Sequence, residues 1–289
     1  MRTIKTFIVI LLLWGIQIPA QIEKGMKEKL AKFEKEKKSI LAKEMKSMEG
    51  KSPVYIPLAG AFAKDMRQAF IDNTYPVLNN EGLLKTDVFI LENQQWLEFC
   101  DFLQNNPKVT TIRLYFLQFI QNDFESKYTE LAPFDGKLYI GIGFFDQSQN
   151  LVGGKYYGML SVKKTVEIEP QDFIKMHKSY LNNIQNKINK FSTSGQNTNY
   201  LKIDAGDFKV QRKIIEVYNS SMSPQYVQSL TFTLAQAIDP KSPTSFYSSK
   251  YLKSQGQLTS LTDAIDTNGN TIEHLRNYDM NSLCPQQCP

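Results

Sequence analysis

Residues 137–162 read KLYIGIGFFDQSQNLVGGKYYGMLSV, and the pattern of this stretch sets the fold class. Lys137 to Phe145 is an apolar, aromatic run in which Gly141 and Gly143 stand two apart, on one face of an extended strand. Asp146 to Asn150 is a polar turn, and Leu151 to Val162 brings Tyr156 and Tyr157 back as a partner strand. The stretch therefore predicts an antiparallel hairpin. Gly141-Ile142-Gly143 lies inside a strand pattern, away from any strand-to-helix turn, so it is not a dinucleotide-binding fingerprint.

Moving outward, Val109 to Phe119 is rich in β-branched and aromatic residues and predicts a further strand. Three amphipathic helices flank this β region. One runs over Val54 to Asn73, with Leu58, Phe62, Met66, Ala69 and Phe70 at helical spacing and a stop at Tyr75-Pro76. The second covers Asn93 to Gln104, with Trp96, Leu97, Phe99, Cys100 and Leu103 on one face. The third covers Pro170 to Phe191, with Phe173, Ile174, His177, Leu181, Ile184 and Ile188 along it. Phe208 to Tyr218 and Tyr226 to Ile238 fit helix or strand, with Thr231-Phe232-Thr233 favouring strand for Leu230 to Leu234. Asp239 to Gln257 is a polar, Ser-rich loop, and Leu258 to Leu275 holds a hairpin turn at Asn268-Gly269. Ile56 to Asn73 and Ile168 to Asn183 share only a proline followed by an amphipathic helix, an outline too common to define a repeat. The expected fold is α+β: N-terminal helices packed on an antiparallel sheet with β-hairpins.

The N-terminus reads as a signal peptide over residues 1–20. Arg2 and Lys5 precede the apolar run Phe7 to Ile18, and Pro19-Ala20 offers a small residue for cleavage. That run is shorter than the ~20 residues that span a bilayer, and an uncleaved N-terminal anchor is the rival reading. A charged amphipathic helix follows over 21–52. Met26, Leu30, Phe33, Leu41, Met45 and Met48 recur on its one stripe, interrupted by Lys37. A solvated helix resting on the body accounts for it, and self-association or a membrane surface are the other readings. The domain 53–289 is α+β, with a possible inserted segment at 146–257.

The net charge of +5 does not mark a nucleic-acid binder. Arg2 and Lys5 belong to the leader, residues 22–51 hold ten lysines against six glutamates, and the rest is close to neutral.

Most catalytic signatures lack their residues. The two histidines, His177 and His274, form no zinc-binding spacing, and no nucleophile elbow or phosphate loop exists. Asp266-Thr267-Asn268-Gly269-Asn270 begins like a calcium loop but carries Thr271 and Asn277 where Gly and Glu belong, so it reads as a hairpin turn. Asp204-Ala205-Gly206-Asp207 also reads as a turn. Glu125, Glu130 and Asp135 read as solvated loop acids. The remaining signal is Cys284 and Cys288 in the terminal C-P-Q-Q-C-P. A small disulfide staple is the favoured reading, with a thiol-redox pair and a metal site completed by His274 as the others. Cys100 reads as a packing thiol. The strand aromatics Tyr115, Phe116, Phe119, Phe144, Phe145, Tyr156 and Tyr157 either pack beneath helices or form a binding face for sugars or peptides.

Ile56-Pro57-Leu58, Trp96 to Leu103, Ile112 to Phe116, Asp266 to Asn270 and the cysteine tail together resemble a family of exported Bacteroidota proteins. The resemblance covers about half of the chain after the leader. It implies export and an α+β fold, and it brings no activity, cofactor or metal. The function expected from the sequence is a non-enzymatic binding or scaffolding protein of the cell envelope, periplasmic or extracellular. Its partner would be a protein or another envelope component, with no membrane integration after signal cleavage. A hydrolase using carboxylates brought together by the fold is the alternative.

Overall fold

The β-rich middle of the chain needs both faces covered, because strand 138–145 offers no polar face to water. The computed structural model describes residues 23–43, 60–158, 161, 165–223, 226–239, 254–276 and 282–284. The signal peptide, Cys288 and most of the 239–257 loop lie outside them.

The elements in order are helix α1 (23–43), α2 (Gly60–Ala69), a π-helical turn (Phe70–Thr74), α3 (Tyr75–Asn80), strand β1 (Val88–Glu92), α4 (Asn93–Asn105), β2 (Thr111–Gln118) and β3 (Leu138–Phe145). Next come β4 (Tyr156–Gly158), β5 (Val166–Ile168), α5 (Pro170–Tyr180), a second π turn (Leu181–Gln185) and α6 (Asn186–Ile188). Then follow β6 (Tyr200–Asp204), α7 (Ala205–Met222), β7 (Val227–Gln236), β8 (Leu258–Asp266) and β9 (Ser282–Cys284). The fold is α+β, with two antiparallel sheets ordered β1-β7-β8 and β5-β4-β3-β2-β6-β9.

The chain forms two compact units. One takes in Met1–Lys51 and Val210–Tyr226, the other Ser52–Lys209 and Val227–Pro289. In the first, the stripe on α1 is where its spacing placed it: Phe33 is fully buried and meets Tyr218 edge-on at 5.2 Å. Lys29 Nζ donates to Ser223 O at 2.9 Å.

In the larger unit, helices cover both faces of the long sheet. Phe99 and Phe102 of α4 meet Phe144 at 4.8 and 4.4 Å on one face. Phe173 of α5 meets Tyr115 at 5.2 Å on the other. The Gly141 and Gly143 pair now has a cause. A Cβ on Gly141 would lie 2.6 Å from Leu117 and Phe173, and one on Gly143 would lie 2.8 Å from the Tyr156 ring. Only glycine lets those rings lie flat on β3.

Several expectations change. The helix starting at Gly60 does not stop at Tyr75-Pro76. Tyr75 N–H bonds Phe70 O in the π turn, and Pro76, with no N–H to satisfy, continues the turn into α3. Residues 208–218, which fitted helix or strand, are helix, and the strand favoured for Leu230 to Leu234 lies within 227–236. Segment 146–257, read as a possible insertion, supplies β7, the middle strand of one sheet, and β6, which pairs with β2. Asp204 to Asp207 is not a free turn. It is the junction of β6 with α7, where Asp204 Oδ1 accepts from Gly206 N at 2.7 Å as a helix cap.

The faint outline shared by the two proline-led helices is part of a structural repeat. In both halves a helix with a π turn leads to a short strand, a helix starting directly after it, and an antiparallel pair. Hydrogen bonds recur at matching positions. Arg67 of α2 donates to Leu234 O, and His177 Nδ1 of α5 donates to Phe116 O at 3.0 Å. Leu234 N bonds Asp87 O at 2.8 Å, and Phe116 N bonds Asn199 O at 3.4 Å. On the strand side Gln236 and Gln118 also correspond, bonded to Thr74 and Asn183 of the two π turns. Gly136 N bonds Phe119 O, and Gly256 N bonds Ala237 O. Both long hairpins end in one turn geometry: Asn150 N reaches Asp146 Oδ1 at 2.9 Å and Asn270 N reaches Asp266 Oδ1 at 2.8 Å. The halves exchange their short strands, since β1 pairs with β7 and β6 with β2.

Candidate binding cleft

Among the described residues the two halves diverge after their matching turns. After its turn at Asp146–Asn150, the first half continues into β4 and β5, which extend the long sheet beyond β3. After the matching turn at Asp266–Asn270, the second half has a 3-10 turn (Glu273–Leu275) and then β9, which runs to the opposite edge beside β6. The β4–β5 extension lies against α4 and encloses a cleft of about 250 Å³, lined by Glu98, Phe99, Phe102, Phe144, Tyr157, Thr165 and Glu167.

Each lining residue is placed by its element. The start of α4 is fixed by a capping box between Glu92 and Gln95. This turns Trp96, Phe99, Cys100 and Leu103 into the core and leaves Phe102 half-buried and Glu98 exposed at the edge. Gly153, at φ +84°, lets the extension approach closely; a Cβ there would stand 3.1 Å from the Phe102 ring. On β4 and β5, Tyr157 and Glu167 are register partners, so both project on the α4 side of the sheet. The floor is aromatic: Phe102 and Tyr157 lie 6.0 Å apart, and Phe144 and Tyr157 meet at 5.7 Å.

The rim is acidic and held in place. Glu98 Oε2 accepts from Thr165 Oγ1 at 2.6 Å and its Oε1 from Gln94 Nε2 at 3.4 Å. Glu167 lies 3.6 Å from Lys155 Nζ, which sits closer to Glu169 at 2.6 Å. The hydrogen bond to Glu169 raises the Lys155 pKa, so its ammonium is engaged mainly there. Burial, reinforced by Glu167, raises the Tyr157 pKa, so the phenol stays neutral. The cleft is smaller than the roughly 300–1,000 Å³ of drug-sized sites, and fits a single side chain or a small organic molecule.

The opposite face of the sheet is a packed layer. Arg113 lies between Phe145 at 4.1 Å and Tyr200 at 4.8 Å. Tyr156 stacks on Phe173 at 3.8 Å, and burial pushes the Tyr115 hydroxyl up to about 12. Helix α5 covers this face, so most of the strand aromatics pack as beneath a covering helix. Phe144 and Tyr157 are the two from that set that reach the cleft.

The other sequence candidates do not converge. Cys284 is in β9 opposite Tyr200, and Cys288, needed for the disulfide, lies outside the described residues. Cys100 is buried on the inner face of α4. Asp266 Oδ1 accepts backbone N–H groups from Asn268 and Asn270, each at 2.8 Å, as a hairpin turn requires. Glu125, Glu130 and Asp135 are exposed. Among the described residues no cluster of three His, Cys, Asp or Glu side chains could hold a metal, and no helix is long and apolar enough to cross a membrane. Sequence reasoning missed Glu98 and Glu167, because only the extension folding back onto α4 brings them to one cleft. No family model, curated protein or solved structure matches the chain.

Proposed function

We propose that the protein is an exported, non-enzymatic binding or scaffolding protein of the cell envelope, in the Bacteroidota family its motifs resemble, and that it binds through the α4 cleft. One observation carries the reading: the β4–β5 extension folds back beside α4 so that residues of three elements, α4, β3 and the extension, line one cleft. The leader supports export, and cell fractionation with N-terminal sequencing tests it. A mature chain starting at Gln21 outside the cytoplasm is expected, and an uncleaved cytoplasmic chain overturns it.

The binding reading is tested by screening a fragment library against the mature chain and a Phe102→Arg variant that fills the cleft. Hits lost in the variant support it, and hits indifferent to the variant overturn it. The second reading is a hydrolase, favoured by two carboxylates on one cleft. Turnover of a glycoside panel that disappears in both Glu98→Gln and Glu167→Gln would establish it in place of the first. Self-association through α1 is not carried forward, because Phe33 at the centre of its stripe is buried against Tyr218 of the same chain.

A further inference from the structure

We infer that the cleft selects an organic cation on an apolar stem, an alkylammonium or guanidinium group such as a lysine or arginine side chain presents. This rests on the reading of the cleft as the binding site and adds the chemistry of what enters it.

The argument is charge and shape complementarity. Phe102 and Tyr157 are half-buried and present ring surface to the cleft, above the buried Phe99 and Phe144, and the Tyr157 hydroxyl is the polar group among these rings. An apolar stem of a few methylenes gains by covering such a floor. A cation gains further from the negative faces of the rings. At the mouth stand Glu98 on α4 and Glu167 on β5. Glu98 is bonded by the neutral donors Thr165 and Gln94, and Glu167 shares Lys155 with Glu169, which holds it more tightly. An anion entering would meet both carboxylates, so the rim also rejects the wrong charge. The volume excludes a large cofactor and admits one side chain.

Isosteric probes test the head group. The mature full-length chain is titrated calorimetrically with pentylamine, 1-pentanol and pentanoate, which share a stem. Pentylamine is expected to bind about tenfold more tightly than pentanol, with pentanoate weakest and the amine's advantage shrinking at high salt. The Glu98→Gln/Glu167→Gln double variant should bind the amine and the alcohol alike. Equal affinity for the three probes in the unmodified chain, lost in Phe102→Arg, overturns the cation inference and leaves the cleft reading standing. Binding of all three that survives Phe102→Arg, or no binding by any probe, overturns both. A Gly-Gly-Lys-Gly-Gly peptide, run against free pentylamine, tells a protein side chain from a free amine. The cation inference holds if either one shows the preference and fails if neither does.

Discussion

At the scale of single residues, the sheet is fitted around glycines and one half-buried histidine. Gly141 is where a methyl group has no room, because both of its nearest neighbours, Leu117 and Phe173, are packed core side chains. Gly141→Ala should cost about 1–3 kcal/mol, the usual range for overpacking, and lower the midpoint of thermal unfolding. A variant as stable as the parent would mean that α5 does not press on β3. His177 is half-buried between the Tyr115 ring at 5.3 Å and the Tyr180 ring at 6.1 Å, with Nδ1–H on Phe116 O. Burial lowers its pKa from the ordinary 6.5, outweighing the opposing effect of the Phe116 carbonyl. The folded state thus takes up the proton less readily than the unfolded chain. The resulting stability is fully present above about pH 6.5 and is lost as pH falls below it. The unfolding temperature should drop between pH 7 and pH 5, and His177→Gln, which keeps an N–H for Phe116 O, should flatten that slope. An unchanged slope would assign the acid sensitivity to other groups.

At the scale of elements, the legible parts of the chain were those with a local cause. Strand 111–118 followed from its β-branched and aromatic residues, and helix 93–105 from its apolar spacing. The α7 segment fitted helix or strand because β6 runs directly into it, leaving no loop residues to punctuate the boundary. Its start is instead marked by one side chain, Asp204, whose Oδ1 holds Gly206 N at 2.7 Å. Asp204→Ala should cost about 1 kcal/mol, with faster amide exchange in the first turn of α7 and little change elsewhere. Uniformly faster exchange would make Asp204 part of the sheet's stability rather than a cap. The repeat was illegible for a different reason. Its two copies keep positions and change residues, as Arg67 and His177 do when each donates to a strand carbonyl. A backbone acceptor is satisfied by any donor of suitable reach, so the same geometry can be kept with different residues. The cleft was half-legible. Phe144 and Tyr157 stood out as strand aromatics, while Glu98 and Glu167 looked like any solvated acid.

At the scale of the whole molecule, the strand exchange couples the two halves of the larger unit. Strand β1 of the first half is an edge of the β7–β8 sheet, and β6 of the second half continues the sheet of β2 and β3. Each helix that leads a half is bonded to the other half's strand, through Arg67 to Leu234 and His177 to Phe116. Neither half completes its sheet from its own residues, so cutting the chain between β4 and β5, just before the second half begins, should not release the fragments. A protease site placed between Ser161 and Thr165, cleaved after folding, gives two fragments, the second carrying β5, that should co-elute in native buffer and separate only in denaturant. Unfolding of the uncut protein, followed by amide exchange in β2 and β7, should show both strands opening in one cooperative step, because each is the paired middle of a shared sheet. If the cut fragments part in native buffer, or β2 and β7 open separately, the exchanged strands contribute too little to bind the halves, and the repeat is two adjoining folds rather than one.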